Sequence, residues 1–472
     1  MLKQTKIVCT IGPASEKQEV MEKMIQSGMN IARLNFSHGT YANHSKLIKN
    51  LRAASKKTGI DIGILQDLQG PKIRVGLLEN PLELKTGELI ILTVDITSSG
   101  KSRDPKKIPV SYKNIVKDLK KGHRILMDDG LIELETQNIS KKDIRAKVKI
   151  GGTLSSHKGI NLPDSLVKLS SLTPKDKEDV KFGLKKGVDF ISLSFVKSKE
   201  DILALRRLLP KKNPPFVIAK IEKHEAINNF DKILETVDGI MVARGDLAVE
   251  IPAEQVPVVQ KDIVAKCLRA AKPVIVATQM LQSMTENPRP TRAEISDIAN
   301  AVIDHCDATM LSAESASGKY PIQAVLTMAK TIQNTEKSKY DDLKNNTEQI
   351  IEGSEALGEV AKILSEASSA ITIRAKPKAK AVIVVSENAD VPRQISRFRP
   401  NVPIFSAVTE EKQGKGLLLS WGVIPFYLGK NNLEKLADRF IKFLKKENFI
   451  KNKDKIILVK KGKNLEEVEV IN

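Results

Sequence analysis

Short runs of apolar, largely β-branched residues alternate with amphipathic stretches along the first two thirds of the chain. The runs cover residues 6–10, 30–34, 62–66, 190–194, 216–220, 239–242, 273–277 and 308–311, and helical periodicity fills most of the intervals. Apolar runs this short, separated by helices, are typical of buried parallel strands. Eight such units are what a (β/α)8 barrel requires, so the pattern predicts a TIM barrel.

One interval, residues 72–172, is too long for a single crossover between parallel strands. Part of it alternates strictly, as at residues 144–150, and Asp128, Asp129 and Gly130 form a good hairpin turn. We therefore expect a β-rich domain inserted after the third barrel strand. A loop at that position leaves the C-terminal face of the barrel, where active sites of this fold lie, so the insert could act as a lid.

The pattern restarts after about residue 346. A helix is predicted over residues 354–368, strands over 381–385, 403–407 and 455–459, and a further helix over 433–446. This arrangement predicts a third, α/β domain. The predicted domains are a discontinuous barrel (1–71 and 173–345), the inserted lid (72–172) and a C-terminal α/β domain (346–472), with a linker near 337–348.

The net charge of +20 arises from 77 Lys and Arg residues against 57 Asp and Glu residues. Because the lysines are scattered and only 4% of residues are aromatic, a solvated surface is favoured over nucleic-acid or membrane binding. Such an excess still attracts anions, including phosphorylated metabolites. The three cysteines lie far apart, and no apolar run approaches the roughly 20 residues that span a bilayer. We expect a soluble cytoplasmic protein that binds neither nucleic acid nor membrane.

Polar residues at the carboxyl ends of the predicted strands carry the candidate chemistry, because these ends meet at one mouth of a barrel. Glu222 and Asp246 offer hard oxygen ligands for magnesium. Arg33 offers a bidentate fork for phosphate, and Lys220 a point charge. A charge about 4 Å from a transferring group is worth roughly 4 kcal/mol at an effective dielectric near 20. That is on the order of a thousandfold in rate, so the set indicates phosphoryl transfer.

Taken singly, these residues are weak signals. A lone lysine or glutamate at a strand end is more often part of a surface ion pair, and Thr278 or Ser312 alone would more often be a helix N-cap. The combination is what carries the prediction.

Several stretches resemble the pyruvate kinase family along nearly the whole chain. They cover residues 6–15, 29–40, 238–247, 277–280, 288–294 and 310–314. The resemblance implies a magnesium-dependent transfer of the phosphoryl group of phosphoenolpyruvate to ADP, which gives ATP and pyruvate in the last step of glycolysis. It also implies a homotetramer, with residues 288–294 near a subunit interface. An N-terminal segment found in part of the family is absent here, so the chain resembles the shorter bacterial type.

The resemblance also implies residue roles. Lys220 would stabilise the transferring phosphoryl group, Arg33 would bind it, and Glu222 and Asp246 would hold magnesium. The substrate carboxylate would meet the backbone of Ala243, Arg244, Gly245 and Asp246, while Thr278 and Ser312 would lie near the carbon that is protonated. The nucleotide would dock against Pro13, Asn35, His38, Arg74 and Lys158.

The region that holds potassium in many family members departs from their pattern. Asn35, Ser37 and Asp67 still offer oxygens, but Leu68 has no side-chain ligand, and Lys72 stands where the potassium-dependent kind has glutamate. We expect the Lys72 ammonium to replace potassium, so that magnesium is required and potassium is not. The alternative is that Lys72 is a solvated hinge residue.

Further departures affect single positions. Ala248 and Ala313 stand where glycine is frequent, which would cost about 1 kcal/mol if either needed a positive φ. Gln282 often appears as an acid and His157 as lysine. The loop at residues 386–390 carries two acids where the family's sugar-phosphate effector loop is rich in Ser and Thr, and residues 460–464 lack its usual Gly-Thr-Thr pattern. We therefore expect no activation by fructose 1,6-bisphosphate.

Two other functions compete with this interpretation. A metal-dependent lyase of the phosphoenolpyruvate/pyruvate barrel kind would share the Glu222 and Asp246 site, but it needs neither an ADP site nor a lid. A basic, non-catalytic barrel that binds RNA would show steeply salt-dependent binding without turnover.

Overall fold

The computed structural model describes residues 3–338, 340–341, 379–387, 389–400, 402–429, 433–461 and 466–471. Its strands are β1 (Lys6–Thr10), β2 (Ile31–Asn35), β3 (Gly63–Asp67), β4 (Leu82–Leu84), β5 (Leu89–Thr93), β6 (Ile108–Pro109), β7 (Arg124–Met127), β8 (Ile132–Ile139), β9 (Asp143–Ile150), β10 (Gly152–Leu154), β11 (Ile160–Asn161), β12 (Phe190–Leu193), β13 (Phe216–Ile221), β14 (Gly239–Ala243), β15 (Val274–Ala277), β16 (Ala308–Leu311), β17 (Ala381–Ser386), β18 (Ile404–Val408), β19 (Val423–Tyr427), β20 (Ile456–Lys461) and β21 (Glu466–Ile471).

The α-helices in the described part of the chain surround or follow these strands. They are Gln18–Gln26, Tyr41–Thr58, Ile115–Asp118, Pro174–Lys186, Lys199–Arg206, His224–Asn228, Phe230–Thr236, Arg244–Glu250, Val256–Arg269, Arg292–Ile303, Ala313–Ala316, Pro321–Glu336, Asp390–Ser396, Glu411–Leu417 and Leu433–Lys446, with short 3-10 helices at Ala253–Gln255 and Gln282–Thr285.

Eight parallel strands close into a barrel in the order β1-β16-β15-β14-β13-β12-β3-β2. They match the eight predicted runs to within one or two residues, which confirms the (β/α)8 prediction. Alternate residues such as Val8, Leu65, Ile218 and Met241 fill the interior and are fully buried or nearly so. The barrel is therefore a packed core, and its chemistry is confined to the strand ends.

The interval between β3 and β12 forms two antiparallel-rich sheets, as expected from its alternation. The larger sheet has the order β11-β7-β8-β9-β5-β6, and β10 pairs with β4. The predicted hairpin turn joins β7 to β8, and Asp128 and Asp129 adopt φ values of 51° and 53° there. The insert has a hydrophobic core of its own. Its assigned strands all lie within the predicted domain boundaries of residues 72–172, which themselves stay a prediction.

The C-terminal domain contains a five-stranded sheet of order β19-β18-β17-β20-β21, in which only β21 is antiparallel to its neighbour. Hydrophobic clusters cover both faces. The helix Leu433–Lys446 begins and ends where the sequence predicts. The predicted helix at residues 354–368 and most of the predicted linker lie outside the described residues.

The C-terminal domain docks at the amino ends of the barrel strands, away from the strand ends that carry the candidate chemistry. Arg399 Nη2 lies 3.1 Å from Asp307 Oδ2, and the Trp421 amide donates to the other oxygen of the same carboxylate at 2.9 Å. Lys6 Nζ donates to the Val423 carbonyl at 2.7 Å. No helix among the described residues has the length and apolarity needed to cross a membrane.

Candidate active site

At the barrel mouth, Arg33 and Lys220 share one buried carboxylate. Arg33 Nε donates to Asp67 Oδ2 at 2.7 Å, and its Nη1 donates to Thr10 Oγ1 at 2.8 Å. Lys220 Nζ lies 3.5 Å from Asp67 Oδ1 and donates to Ser194 Oγ at 2.8 Å. These partners come from strand ends or directly follow them, so two cations converge in one fixed arrangement.

The pKa values of Asp67 and Lys220 both shift toward the charged form. Burial alone would raise the pKa of Asp67, but the charges of Lys220 and Arg33 and a hydrogen bond from Ser192 lower it below its ordinary value. Burial likewise lowers the pKa of Lys220, yet Asp67 and Glu222 outweigh that effect and raise it. The ammonium and the carboxylate therefore stabilise each other's ionised form.

Glu222 and Asp246 are the candidate magnesium ligands. Glu222 Oε1 lies 2.8 Å from Lys220 Nζ, and its Oε2 accepts a hydrogen bond from the Phe195 amide at 2.7 Å. Burial raises the pKa of Glu222, and the charge of Asp246 raises it further, although Lys220 acts in the opposite direction. The charge of Asp246 thus acts on Glu222, and two neighbouring carboxylates with hard oxygen donors fit a divalent cation between them.

Asp246 lies in the first turn of the helix Arg244–Glu250, next to a strained turn after β15. Thr278 adopts φ 73°, which is a rare conformation for a β-branched residue. The Gly245 amide donates to Thr278 Oγ1 at 2.8 Å. Arg244 binds Asp297 through both terminal nitrogens at 2.7 Å and donates to the Thr278 carbonyl, also at 2.7 Å. The Arg244 guanidinium is therefore occupied in positioning the turn. The part of Arg244 that remains available to a substrate is its backbone.

Ser312 follows β16 and precedes the short helix Ala313–Ala316. Its amide donates to Glu314 Oε2 at 2.7 Å, and the same buried carboxylate accepts from the Leu281 amide at 3.0 Å. Ala248 and Ala313 both lie in helices and are not among the residues with positive φ. The penalty anticipated for alanine at these two positions does not arise.

Lys72 reaches the mouth from the start of the insert. Its Nζ lies 3.5 Å from Asp246 Oδ1 and 3.8 Å from Asp129 Oδ1. The same ammonium makes no ion pair with Asp67, whose positive partners among the described residues are Arg33 and Lys220. The structure thus joins Lys72 to the candidate metal ligand rather than to the oxygens of the candidate potassium region.

The candidate nucleotide residues form a more open group. In the insert, Arg74 Nη1 donates to the His157 carbonyl at 2.9 Å, and Lys158 Nζ lies 2.7 Å from Asp128 Oδ1. His157 itself adopts φ 65°.

On the barrel side, Pro13 and His38 are exposed, and Asn35 Oδ1 accepts from the Ser37 amide at 3.1 Å. In the described part of the chain, no hydrogen bond or ion pair joins the five candidate nucleotide residues to Lys220.

Some residues of the site were missed by sequence reasoning. Ser192 and Ser194 lie two positions apart at the end of β12, so strict alternation along that run could have identified both. Thr10 ends β1 and could have been found in the same way. Asp297 lies in the middle of the helix Arg292–Ile303, where the local sequence carries no signal of its bond to Arg244.

Comparisons with known proteins agree with this geometry. The family "Pyruvate kinase, barrel domain" matches residues 2–325, and "Pyruvate kinase, alpha/beta domain" matches residues 365–468. A pyruvate kinase of Bacillus licheniformis is 44% identical over 430 residues, which cover 89% of this chain and 71% of that protein. A pyruvate kinase of Sporosarcina psychrophila is 41% identical over 467 residues, covering 97% and 77%. A crystal structure of a pyruvate kinase from Cryptosporidium parvum superposes with a TM-score of 0.92 at 34% identity, covering 100% of this chain and 96% of that one.

Proposed function

The chain belongs to the pyruvate kinase family, and from that premise we propose which of its residues carry out the reaction. It is a phosphotransferase that moves the phosphoryl group of phosphoenolpyruvate to ADP, giving pyruvate and ATP. Lys220 and Arg33 bind the phosphoryl group during transfer. The observation that carries this assignment is the fixed pair of cations on Asp67, with Lys220 Nζ 3.5 Å and Arg33 Nε 2.7 Å from its oxygens.

The two cations are pre-organised for the transition state. Because Asp67, Thr10 and Ser194 hold them before substrate arrives, little reorganisation accompanies the development of charge on the phosphoryl oxygens. The two side chains are equally buried, but Lys220 presents its charge as a single point, whereas Arg33 offers a planar fork.

Glu222 and Asp246 hold magnesium in this proposal. Glu222 contacts the Lys220 ammonium, and Asp246 lies in the first turn of the helix that follows β14. The ion would neutralise phosphate charge when bound. The chain's own contribution is to place two oxygen donors next to the two cations, with Glu222 Oε1 2.8 Å from Lys220 Nζ.

The substrate carboxylate binds the backbone of Ala243, Arg244, Gly245 and Asp246. Arg244 and Asp297 fix this segment against the strained turn at Thr278. In this proposal the hydroxyls of Thr278 and Ser312 lie near the carbon that is protonated after transfer. The Thr278 hydroxyl is held in place by the Gly245 amide, and the Ser312 backbone is held by Glu314.

The nucleotide binds between the barrel and the insert. Arg74 and Lys158 bind its phosphates, while Pro13, Asn35 and His38 provide the barrel side of the site. Support comes from the ion pair between Lys158 and Asp128 in the hairpin turn. The neighbouring residue of that turn, Asp129, lies 3.8 Å from Lys72, which reaches the barrel mouth. Closure of the insert would bring these side chains to the mouth and exclude water.

Magnesium is required and potassium is not, because the Lys72 ammonium supplies a fixed positive charge at the mouth. Its support is the 3.5 Å approach of Lys72 Nζ to Asp246. The oxygens of Asn35, Ser37 and Asp67 then need no monovalent cation.

The protein works in the cytoplasm as a homotetramer, without nucleic-acid or membrane partners. Residues 288–294 lead into the helix Arg292–Ile303, where Thr291 and Glu294 form a capping box, and most of this stretch is exposed. A rigid, exposed segment of this kind suits a subunit interface. Light scattering at micromolar concentration should give about four times the chain mass of 52.1 kDa, and a monomer mass would overturn the assignment.

The function is tested by measuring pyruvate formation from phosphoenolpyruvate, ADP and magnesium in a coupled assay. Turnover should require all three components and should stop when a chelator removes the metal. Pyruvate released without ADP would instead indicate a lyase, and no turnover at all would contradict the assignment.

A further inference from the structure

A second cluster of potential metal ligands lies beside the candidate active site. His224 and Glu225 begin the short helix after β13, and Glu250 ends the helix after β14. His224 Nδ1 lies 3.3 Å from Glu225 Oε2 and 3.7 Å from Glu250 Oε2. All three potential ligand atoms lie within 4.8 Å of one another.

These three atoms are buried, and none of them has a hydrogen-bond partner among the residues that the structure describes. The Glu250 side chain is completely buried, and only its Oε1 is satisfied, by Lys223 Nζ at 2.6 Å and Asn161 Nδ2 at 2.8 Å. Its Oε2 faces His224 and Glu225. Leaving two carboxylate oxygens together in a buried site is costly unless a positive group lies between them.

The distances fit a metal ion. With bonds of about 2.0–2.2 Å to nitrogen and oxygen, the ligand atoms of a tetrahedral site lie roughly 3.4 Å apart. The two measured separations, 3.3 and 3.7 Å, bracket that value. We propose that His224, Glu225 and Glu250 bind a first-row transition ion such as Zn²⁺. Imidazole nitrogen favours such an ion over magnesium, and three protein ligands leave a position for water.

The proposed ion is separate from the magnesium of the reaction, but its ligands lie on the same two chain segments as the candidate magnesium ligands. His224 follows Glu222 by two residues, and Glu250 lies one helical turn after Asp246. Asn161, which contacts Glu250, belongs to the insert. A bound ion would therefore brace the contact between the insert and the two elements that carry the candidate magnesium ligands. The competing arrangement is a protonated His224 that neutralises both carboxylates without any metal.

Cobalt binding distinguishes these arrangements. The full-length protein is freed of metal, saturated with Mg²⁺ to fill the Glu222 and Asp246 site, and titrated with Co²⁺ while visible absorption is recorded. Affinity for Zn²⁺ is measured in parallel by competition with a chromophoric chelator. The variants are His224→Gln and Glu225→Gln. The control is His123→Gln, which alters a histidine of the insert whose Nδ1 lies 2.9 Å from Ser165 Oγ.

One equivalent of Co²⁺ should give the intense visible bands of a four- or five-coordinate site. Both test variants should lose these bands and weaken Zn²⁺ binding by on the order of a hundredfold, while the control keeps both. Weak six-coordinate bands alone, or unchanged Zn²⁺ affinity in His224→Gln, would overturn the proposal. If one variant misfolds by circular dichroism, the other variant and the wild-type cobalt spectrum decide the matter.

Discussion

The barrel mouth and the insert hold their charged side chains in different ways. At the mouth, Arg33 and Lys220 are each only 9% exposed, and both contact Asp67, which is 1% exposed. In the insert, the Lys72 side chain is 24% exposed and the Lys158 side chain 42% exposed, and each has aspartates as its ion-pair partners. The mouth is therefore a fixed framework of buried ion pairs, whereas the insert carries cations that can exchange partners.

This difference indicates a division of labour. Buried ion pairs are strongly coupled because they are poorly screened, so removing one partner leaves an uncompensated charge. Exposed pairs contribute little to stability, and their side chains can leave an aspartate for a phosphate at small cost. We expect substitutions at the mouth to affect turnover and substitutions in the insert to affect binding or ion requirement.

The largest effect is expected for Lys220→Met. Loss of the ammonium removes charge stabilisation needed in the transition state, so kcat should fall by several hundredfold or more, with little change in KM for phosphoenolpyruvate. Steady-state kinetics with varied phosphoenolpyruvate measures both constants. A variant that keeps a tenth of wild-type turnover would remove Lys220 from its assigned role.

A matched control for this substitution is Lys266→Met. Lys266 Nζ lies 2.6 Å from Asp231 on the outer surface of the barrel, and its side chain is 38% exposed. Its kcat should stay within about twofold of wild type, since exposed pairs are worth at most about 1 kcal/mol. An equal loss in both variants would mean that general charge, rather than the mouth, governs the rate.

The next largest effect is expected for Lys72→Glu. The new carboxylate would stand where Lys72 Nζ now lies 3.5 Å from Asp246, so activity should fall by more than about tenfold, and added potassium should restore part of it. The wild-type enzyme, assayed with potassium replaced by sodium or tetramethylammonium at fixed ionic strength, should lose little. Activation of the wild type by potassium of more than about tenfold would contradict the proposal.

Lys72→Met separates the effect of losing the ammonium from the effect of adding a carboxylate. It removes the ammonium without adding a carboxylate, so it should lose activity but respond less to potassium than Lys72→Glu. Were Lys72 only a solvated hinge residue, both variants would retain wild-type turnover.

A smaller effect is expected for Lys158→Ala. One exposed phosphate contact is worth about 1 kcal/mol, so KM for ADP should rise about fivefold, while kcat changes little. The control is Lys142→Ala, which removes another exposed lysine of the insert, 3.2 Å from Asp95. Lys142 follows the far end of β8, roughly 26 Å along the strand from the hairpin turn at Asp128. Equal increases in KM would show that overall charge, not position, binds the nucleotide.

The same contrast explains how much was predictable from sequence. Strand-end residues such as Arg33 and Lys220 could be grouped because a parallel barrel brings all its strand ends to one mouth. The insert follows no such rule, so the sequence alone could not show that Lys72 contacts Asp246 rather than Asp67. Strand β19 was also missed, since Pro425 argues against a strand except at an edge, which is where it lies.

Helix Leu433–Lys446 was predicted to the residue because its apolar face is strongly periodic. Side-chain hydrogen bonds between elements that are distant in sequence could not be predicted. The bidentate contact of Arg244 with Asp297 depends on how two helices pack, which no local pattern encodes.

The smallest expected effect is the response to fructose 1,6-bisphosphate, and it extends the comparison to the C-terminal domain. Lys460 in β20 contacts Glu467 of β21 and lies 3.1 Å from Glu469. Lys220 also contacts carboxylates, but it faces the barrel mouth; the Lys460 ammonium lies against two carboxylates of the edge strand β21, and the hydrogen bonds to them raise its pKa.

Near Lys460 the chain also places Glu387, whose amide donates to the Lys461 carbonyl at 3.4 Å; residues 388 and 462–465 lie outside the described part of the chain. A ligand with two phosphates would be repelled by the glutamates near this position. To bind Lys460, a phosphate would first have to displace the carboxylates that already pair with it. Titration at subsaturating phosphoenolpyruvate should change the rate by less than about twofold. Strong activation by micromolar fructose 1,6-bisphosphate would contradict this prediction and would show that Lys460 exchanges its carboxylate partners as freely as the lysines of the insert.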